Sequence, residues 1–377
     1  MNPFRSFLMG GFECADHVNR SGDRINLLRE TQHDLRAEAD YALLTRLSMH
    51  TVREGICWSA VEVRPYEFDF SEVGNRIRAA HRQGIQIIWD LCHFGYPDDL
   101  MPTHPRFVDR FTALCRAFAQ YHRKLVNDTL FVVPINEISF LSWHSGDMRG
   151  TVPFATHSGW DIKWHLCRAA IAAIRVLRET DPTCRILTVE PLIRVHPTEH
   201  SSPAHVANLN NDQFQAMDII AGRMCPDLGG KEEYLDILGF NYYYNGQWED
   251  GVVPLPWPET IPRRVPLYEM LLHAHQRYHR PFFLSETGHF GDDRPRWLTE
   301  IAGDIERVVE RTDQFWGVCI YPVVDRPDWD DLTSYSNCGL FDLNERGDRI
   351  PHHPTLQAYE MLYQSVSDLV TDPTTHR

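Results

Sequence analysis

Apolar, β-branched and aromatic runs alternate along the chain with amphipathic ones, and the alternation repeats eight times. The strand-like runs are FLMGGFE from Phe7, HTVREGICW from His50, IQIIWDLCH from Ile85, LFVVPINE from Leu130, RILTVEP from Arg185, LDILGFNYYY from Leu235, PFFLSE from Pro281 and FWGVCIYPVVD from Phe315. A piece as apolar as Pro281-Phe282-Phe283-Leu284 suits a strand buried on both faces, the condition of a parallel sheet covered by helices. Between the strands, HDLRAEADYALLTRL places Leu35, Ala39, Ala42, Leu43 and Leu47 on one helical face, and WHLCRAAIAAIRVLRET does the same with Trp164, Cys167, Ile171, Ile174 and Leu177. Eight β-α units with no Ser/Gly linker and no sharp change of composition predict one (β/α)8 barrel over residues 1–377, with long loops. An open doubly wound sheet is the competing architecture, but no G-x-G-x-x-G follows the first strand. Segments 197–212 and 246–266, rich in Pro, His and Asn, are the expected excursions from the barrel.

Composition narrows the function. The 377 residues are 43% hydrophobic and 11% aromatic, enough for a large core. A formal net charge of −15 with no long Lys/Arg tract repels a phosphate backbone, so nucleic acid is set aside as a partner. No apolar run approaches the roughly 20 residues of a membrane helix, and the opening MNPFRSFLMGGFE is too briefly apolar for a secretion signal. A soluble cytoplasmic protein with no membrane partner is the expectation. The nine cysteines include no C-x-x-C, and Cys57, Cys92 and Cys319 lie in apolar runs, so free thiols are expected. His273 and His275 form the one H-x-H, but within a helix-like run, which favours a structural role over a metal site.

Polar residues mark the end of nearly every strand-like run, where a (β/α)8 barrel carries its chemistry. They are Glu13 on the first, Arg53 on the second, Asp90 and His93 on the third, Asn136 and Glu137 on the fourth, Glu190 on the fifth, Asn241 and Tyr243 on the sixth, Glu286 on the seventh, and Asp325 and Asp328 on the eighth. Strands four and seven lie nearly opposite each other, and each ends in glutamate. Two carboxylates about 5–5.5 Å apart across the mouth suit double displacement at a glycosidic carbon, one as nucleophile and one as acid/base. Arg53 can stabilise an ionised nucleophile and a Tyr of the sixth strand can donate to it. Side chains alternate across a strand, so only one parity among Tyr242, Tyr243 and Tyr244 points inward. Trp329, Trp143, Trp257 and Phe94 are candidates for an apolar platform under a sugar ring. Asp90 and Glu190 fit a network beneath the pocket.

These motifs resemble those of glycoside hydrolase family 1 and, more loosely, the wider clan A of barrel glycosidases. INEIS is similar to the family's N-E-P element, which implies Glu137 as acid/base and Asn136 as ligand of the sugar 2-hydroxyl. LSETG resembles T-E-N-G and implies Glu286 as nucleophile, while VREGICWS resembles R-F-S-I-S-W-S and places Arg53 beside it. LCHFGYP resembles L-Y-H-W-D-L-P, making His93 a hydroxyl ligand, and LGFNYYYN resembles L-G-x-N-Y-Y, so Asn241 and Tyr243 carry over, Tyr243 as donor to Glu286. There are departures. Ile138 replaces Pro, Thr287 replaces Asn, and W-S-L-x-D-N-F-E-W reads YPVVDRPDW, with Arg326, Asp328 and Trp329 left as sugar ligands. The family's first-strand Gln is missing, and GGFECADHVNR offers Glu13, His17 or Asn19 instead. The resemblance implies a retaining β-glycosidase acting on a small-molecule glycoside, a glucoside or galactoside first, without metal or organic cofactor. A transglycosidase with the same chemistry and a carbohydrate-binding barrel without catalysis are the alternatives.

Overall fold

The computed structural model describes residues 1–371, and its centre is a closed barrel of eight parallel strands in chain order. They are β1 (Leu8–Gly11), β2 (Thr51–Gly55), β3 (Gln86–Asp90), β4 (Phe131–Val133), β5 (Arg185–Pro191), β6 (Ile237–Asn241), β7 (Phe282–Thr287) and β8 (Phe315–Ile320). Each lies in a run that the apolar pattern marks. The first partners the last, Leu8 opposite Val318, so the sheet has no edge. Alternation along the strands separates two cores. Met9, Ile88, Val133, Leu187, Val189, Ile237, Phe283 and Cys319 fill the inside, and Phe4 plugs the lower end against Phe131, Phe283 and Trp316. The residues of opposite parity, such as Ile87, Ile186, Leu238 and Leu284, pack outward against the helices. A side chain of this size, fully buried, contributes roughly 1.5–3 kcal/mol, so the double core supplies a rigid floor for whatever sits on the rim.

The principal helices are α1 (His33–Arg46), α2 (Ser71–Gln83), α3 (Phe107–Leu125), α4 (Ile138–Gly146), α5 (Gly159–Thr180), α6 (Leu267–Tyr278), α7 (Arg294–Val309) and α8 (His353–Thr371). In α5, Cys167, Ile171, Ile174 and Leu177 are buried as the periodicity predicts, with Trp164 half-buried at the margin. In α1 the expected face is wrong. The buried residues are His33, Ala37, Asp40, Tyr41 and Leu44, and Leu35 is 81% exposed. The cause is a polar network behind the barrel. His33 bonds Asp40 and Glu54 at 2.8 Å each, Tyr41 donates to Glu54 at 2.5 Å, Arg76 donates to Glu54 at 2.6 Å, and Arg349 donates to Asp40 at 2.6 and 2.7 Å. Every buried charge there has an opposite partner, and so a polar face can be the inner one.

Of the two expected excursions, the first holds a helix, Pro203–Asp212, opened by its proline at the first turn. The second holds strands Gln247–Glu249 and Val253–Pro254, which join Arg194–His196 in a small sheet. All nine cysteines are free, eight of them buried. Among the described residues no helix is long and apolar enough to cross a membrane.

Candidate active site

The C-terminal ends of the strands bring the polar residues of the rim together. Arg53, 1% exposed in the middle of β2, is the hub. Its Nη1 donates to Glu286 Oε1 at 2.5 Å and to the Ser285 carbonyl at 3.2 Å, and its Nη2 donates to Asp90 at 2.8 Å and to Asn136 Oδ1 at 2.6 Å. Burial works against the guanidinium, but the charges of Asp90 and Glu286 outweigh it and raise its pKa. Strict alternation along β7 from inward Phe283 would send Glu286 out toward the helices. A register shift between Leu284 and Glu286 turns it inward instead, and Thr287 then faces out, accepting from Trp297 Nε1 at 2.9 Å. Tyr243 donates to the second oxygen of Glu286 at 2.7 Å. Burial first and the Glu286 charge second push the phenol up, which keeps it a donor. Of the neighbouring tyrosines, Tyr242 points outward, stacked on Trp297, and Tyr244 packs on His289.

Glu137 follows β4 and begins α4 with a left-handed backbone, φ 45°. For a glutamate that conformation is strained, and the surrounding contacts have to hold it. Asn241 Nδ2 donates to Glu137 Oε1 at 2.9 Å, and Asn241 is itself oriented by Ser285 Oγ at 2.6 Å. Burial first and the nearby Glu286 second raise the Glu137 carboxyl to about 8, against the opposing hydrogen bond from Asn241. The two glutamates therefore sit in opposite surroundings. Glu286 is met by a guanidinium and a phenol, while Glu137 is buried with one neutral donor.

His93 bonds Asp90 through Nδ1 at 2.8 Å, and its Nε2 lies 3.3 Å from Asn136 Nδ2 and 3.8 Å from Glu13. Burial opposes its protonation, yet Asp90, Glu13 and Glu286 together raise its pKa. Glu13 accepts the amides of Cys14 and Ala15 at 3.1 Å, and its other oxygen lies 3.3 Å from Arg326 Nε. Trp329 packs edge-on against His17 with ring centres 4.6 Å apart, and Phe94 and Phe140 complete the aromatic wall with His144. Burial holds His17 neutral, with a pKa of about 3, and neither its Nδ1 nor Trp329 Nε1 has a hydrogen-bond partner among the described residues.

Several candidates stand elsewhere. Asp328 is exposed, and its carboxylate caps a turn through the amides of Asp330 and Asp331. Arg326 takes the place beside Glu13. Asn19 organises its own loop, accepting from Ser21 and Asp23 and donating to the Trp329 carbonyl. Trp257 donates to Glu300 on α7, and Trp143 is 45% exposed. Asp325 caps the following loop through the amides of Arg326 and Cys338. Phe140, His144 and Ser285 are absent from the sequence-based set. Phe140 and His144 are four residues apart on α4, a spacing that places both on one helix face just after Glu137. Among the described residues, Cys14, Asp90 and His93 are the one acidic, thiol and imidazole trio close enough to share a cation. They do not fit one: both Asp90 oxygens are bonded by Arg53, and burial pushes the Cys14 thiol up.

A closed (β/α)8 barrel with unlike glutamates just after its fourth strand and on its seventh, joined through Arg53, Asn241 and Tyr243, defines the architectural class of the molecule. Solved structures with this architecture include the β-glucosidase from Thermotoga maritima in complex with deoxynojirimycin, at TM-score 0.75 and 15% identity over 97% of this chain and 99% of that one. The same enzyme in complex with castanospermine gives 0.75 and 16% over 89% and 87%, and the family 1 β-glucosidase from that organism gives 0.73 and 15% over the same shares. The chain thus has the fold of the family 1 β-glucosidases, as the motif resemblance implies. No family model matches the chain, and no curated protein matches it in sequence.

Proposed function

We propose that the protein is a retaining β-glycosidase. The observation that carries this reading is the unlike pair of buried glutamates. Glu286, its oxygens oriented by Arg53 and Tyr243, attacks the anomeric carbon. Glu137, holding its proton, delivers it to the departing glycosidic oxygen. Asn241 donates to Oε1 of Glu137, which leaves Oε2 to carry that proton. In the second step Glu137, now ionised, takes a proton from water, and the oxygen of that water displaces Glu286 from the sugar. Asn136, held by Arg53 and His93, together with His93 and Glu13, lies where sugar hydroxyls bind, and Trp329 with Phe94 offers the stacking surface. The complexes of the T. maritima β-glucosidase with sugar mimics support a small glycoside as the substrate class. A barrel that only bound sugar would have no use for a guanidinium and a phenol trained on one carboxylate.

A panel of aryl β-glycosides with different sugars tests the reading, glucosides and galactosides first. Glu137→Gln is expected to lower turnover of substrates with poor leaving groups roughly 10²–10⁴-fold, and Glu286→Gln to abolish it with the fold retained. Azide is expected to restore turnover of an activated glycoside in Glu137→Ala and not in Glu286→Gln. Full activity in Glu286→Gln would refute the assignment.

A further inference from the structure

Glu190 is a second buried carboxylate behind the pocket, and nothing in the proposed chemistry uses it. On β5, Leu187 and Val189 point into the barrel, so Glu190 points out, toward the helices. There it lies under the start of α4. Ser139 N, at the first turn of that helix, donates to Glu190 Oε2 at 3.0 Å, with Oε1 at 3.4 Å. Glu137 stands at the position whose side chain ordinarily caps the helix, but it makes no cap bond because its carboxyl is turned into the pocket. The backbone of Glu137 is tied to the same strand, its N–H donating to the Val189 carbonyl at 3.0 Å. β5 thus holds the segment at two points, once through Val189 O and once through the Glu190 carboxylate.

A negative group at the positive end of a helix is favourable, and here it stands close to the carboxyl that has to keep a proton. The charge of Glu190 is among the causes that raise the Glu137 pKa, after burial and Glu286. Glu190 itself is pushed up to about 7, by burial first, against hydrogen bonds from Ser139 and Ile138 and the charge of Lys163. The groups facing it are Ser139 and Glu137 at the head of α4, and Lys163 and Cys167 on α5. Lys163 also donates to Gln215 at 2.8 Å. Those facing Glu137 are Glu286, Asn241, Glu190, His93 and Tyr243.

We propose that Glu190 is a positioning residue for the acid/base: it caps α4 in place of Glu137, so that Glu137 can hold its left-handed, pocket-facing conformation, and its negative charge helps keep the catalytic proton on Glu137. This rests on the reading of Glu137 as acid/base.

Two variants separate the roles. Glu190→Gln keeps an oxygen for the Ser139 amide but removes the charge. The alkaline limb of kcat/KM is expected to move about half a unit to lower pH, with KM little changed. Glu190→Leu removes the acceptor, and kcat is expected to fall about tenfold or more, with KM within about twofold. Circular dichroism and thermal unfolding establish that both variants fold. A titration of ¹³C-carboxyl-labelled glutamate by NMR, with the Glu137 resonance assigned by its loss in Glu137→Gln, reads the same shift without substrate. A Glu137 titration unmoved by Glu190→Gln, or an unchanged kcat in a folded Glu190→Leu protein that hydrolyses glycosides, overturns the proposal. A shifted Glu137 titration in a protein inert toward every glycoside supports the electrostatic coupling while refuting the glycosidase reading.

Discussion

Glu137 carries its proton at a cost to the fold. An ordinary glutamate ionises near 4.5, and this one is raised to about 8 by burial and by Glu286. Between those values the native state binds a proton that the unfolded chain has released, so stability falls as pH rises from about 4.5 toward 8. The sign is opposite to that of a salt-bridged carboxylate. Replacing Glu137 by Gln removes this liability while keeping an acceptor for Asn241, so the variant is expected to be more stable than wild type by up to about 4 kcal/mol near pH 8. The difference should shrink toward zero at pH 5. Thermal unfolding of the two proteins across that range checks it, and a variant less stable at every pH would contradict the assigned environment. A stabilising loss of function is the usual mark of a residue retained for chemistry rather than folding.

At the scale of elements, the polar network under α1 makes a separate prediction. His33 is raised to about 9, because Glu54 and Asp40 together outweigh a burial that opposes protonation. Its folded pKa lies above its unfolded value near 6.5, so its contribution is full below 6.5 and lost as pH rises through about 9. Glu54, depressed to about 2 by His33 and Arg76 against burial, contributes fully above 4.5 and loses that contribution as pH falls through about 2. The melting temperature should decline between pH 7 and 9, by the equivalent of up to about 3 kcal/mol, and His33→Gln should flatten that decline. This network also explains why the strands were easier to read than α1. Most barrel strands lie in largely apolar runs, and their identity follows from burial on both faces. The inner face of α1 is His33, Asp40 and Tyr41, whose partners Glu54 and Arg349 lie 13 or more residues away in sequence, beyond any local hydrophobic period. Glu286 presents a related difficulty: alternation alone would aim it outward, and only the shifted register of β7 brings it inside.

At the scale of the whole molecule, the barrel converts a one-dimensional pattern into a convergent rim. Residues as distant in sequence as Glu13 and Arg326 meet because β1 and β8 close the sheet. The positions of Arg53, Asn136, Glu137, Asn241, Tyr243 and Glu286 were legible as strand-end polar groups in a fixed order. The part of the wall formed by Phe140 and His144 was less so, since it depends on how α4 and the loop after β8 fold over the mouth. Asp328 shows the limit of motif spacing: its position follows the family's order, but a turn takes its carboxylate away from the pocket. The central claim is that this rim forms a covalent bond to sugar through one particular carboxylate. A 2-deoxy-2-fluoro glycoside of whichever sugar the protein turns over, with an activated leaving group, should inactivate it in a time-dependent way. Peptide mapping should then place the sugar on Glu286, within the segment 281–290. Turnover of the parent glycoside with no label formed, or a label on Glu137, Glu13 or another carboxylate, would contradict the account.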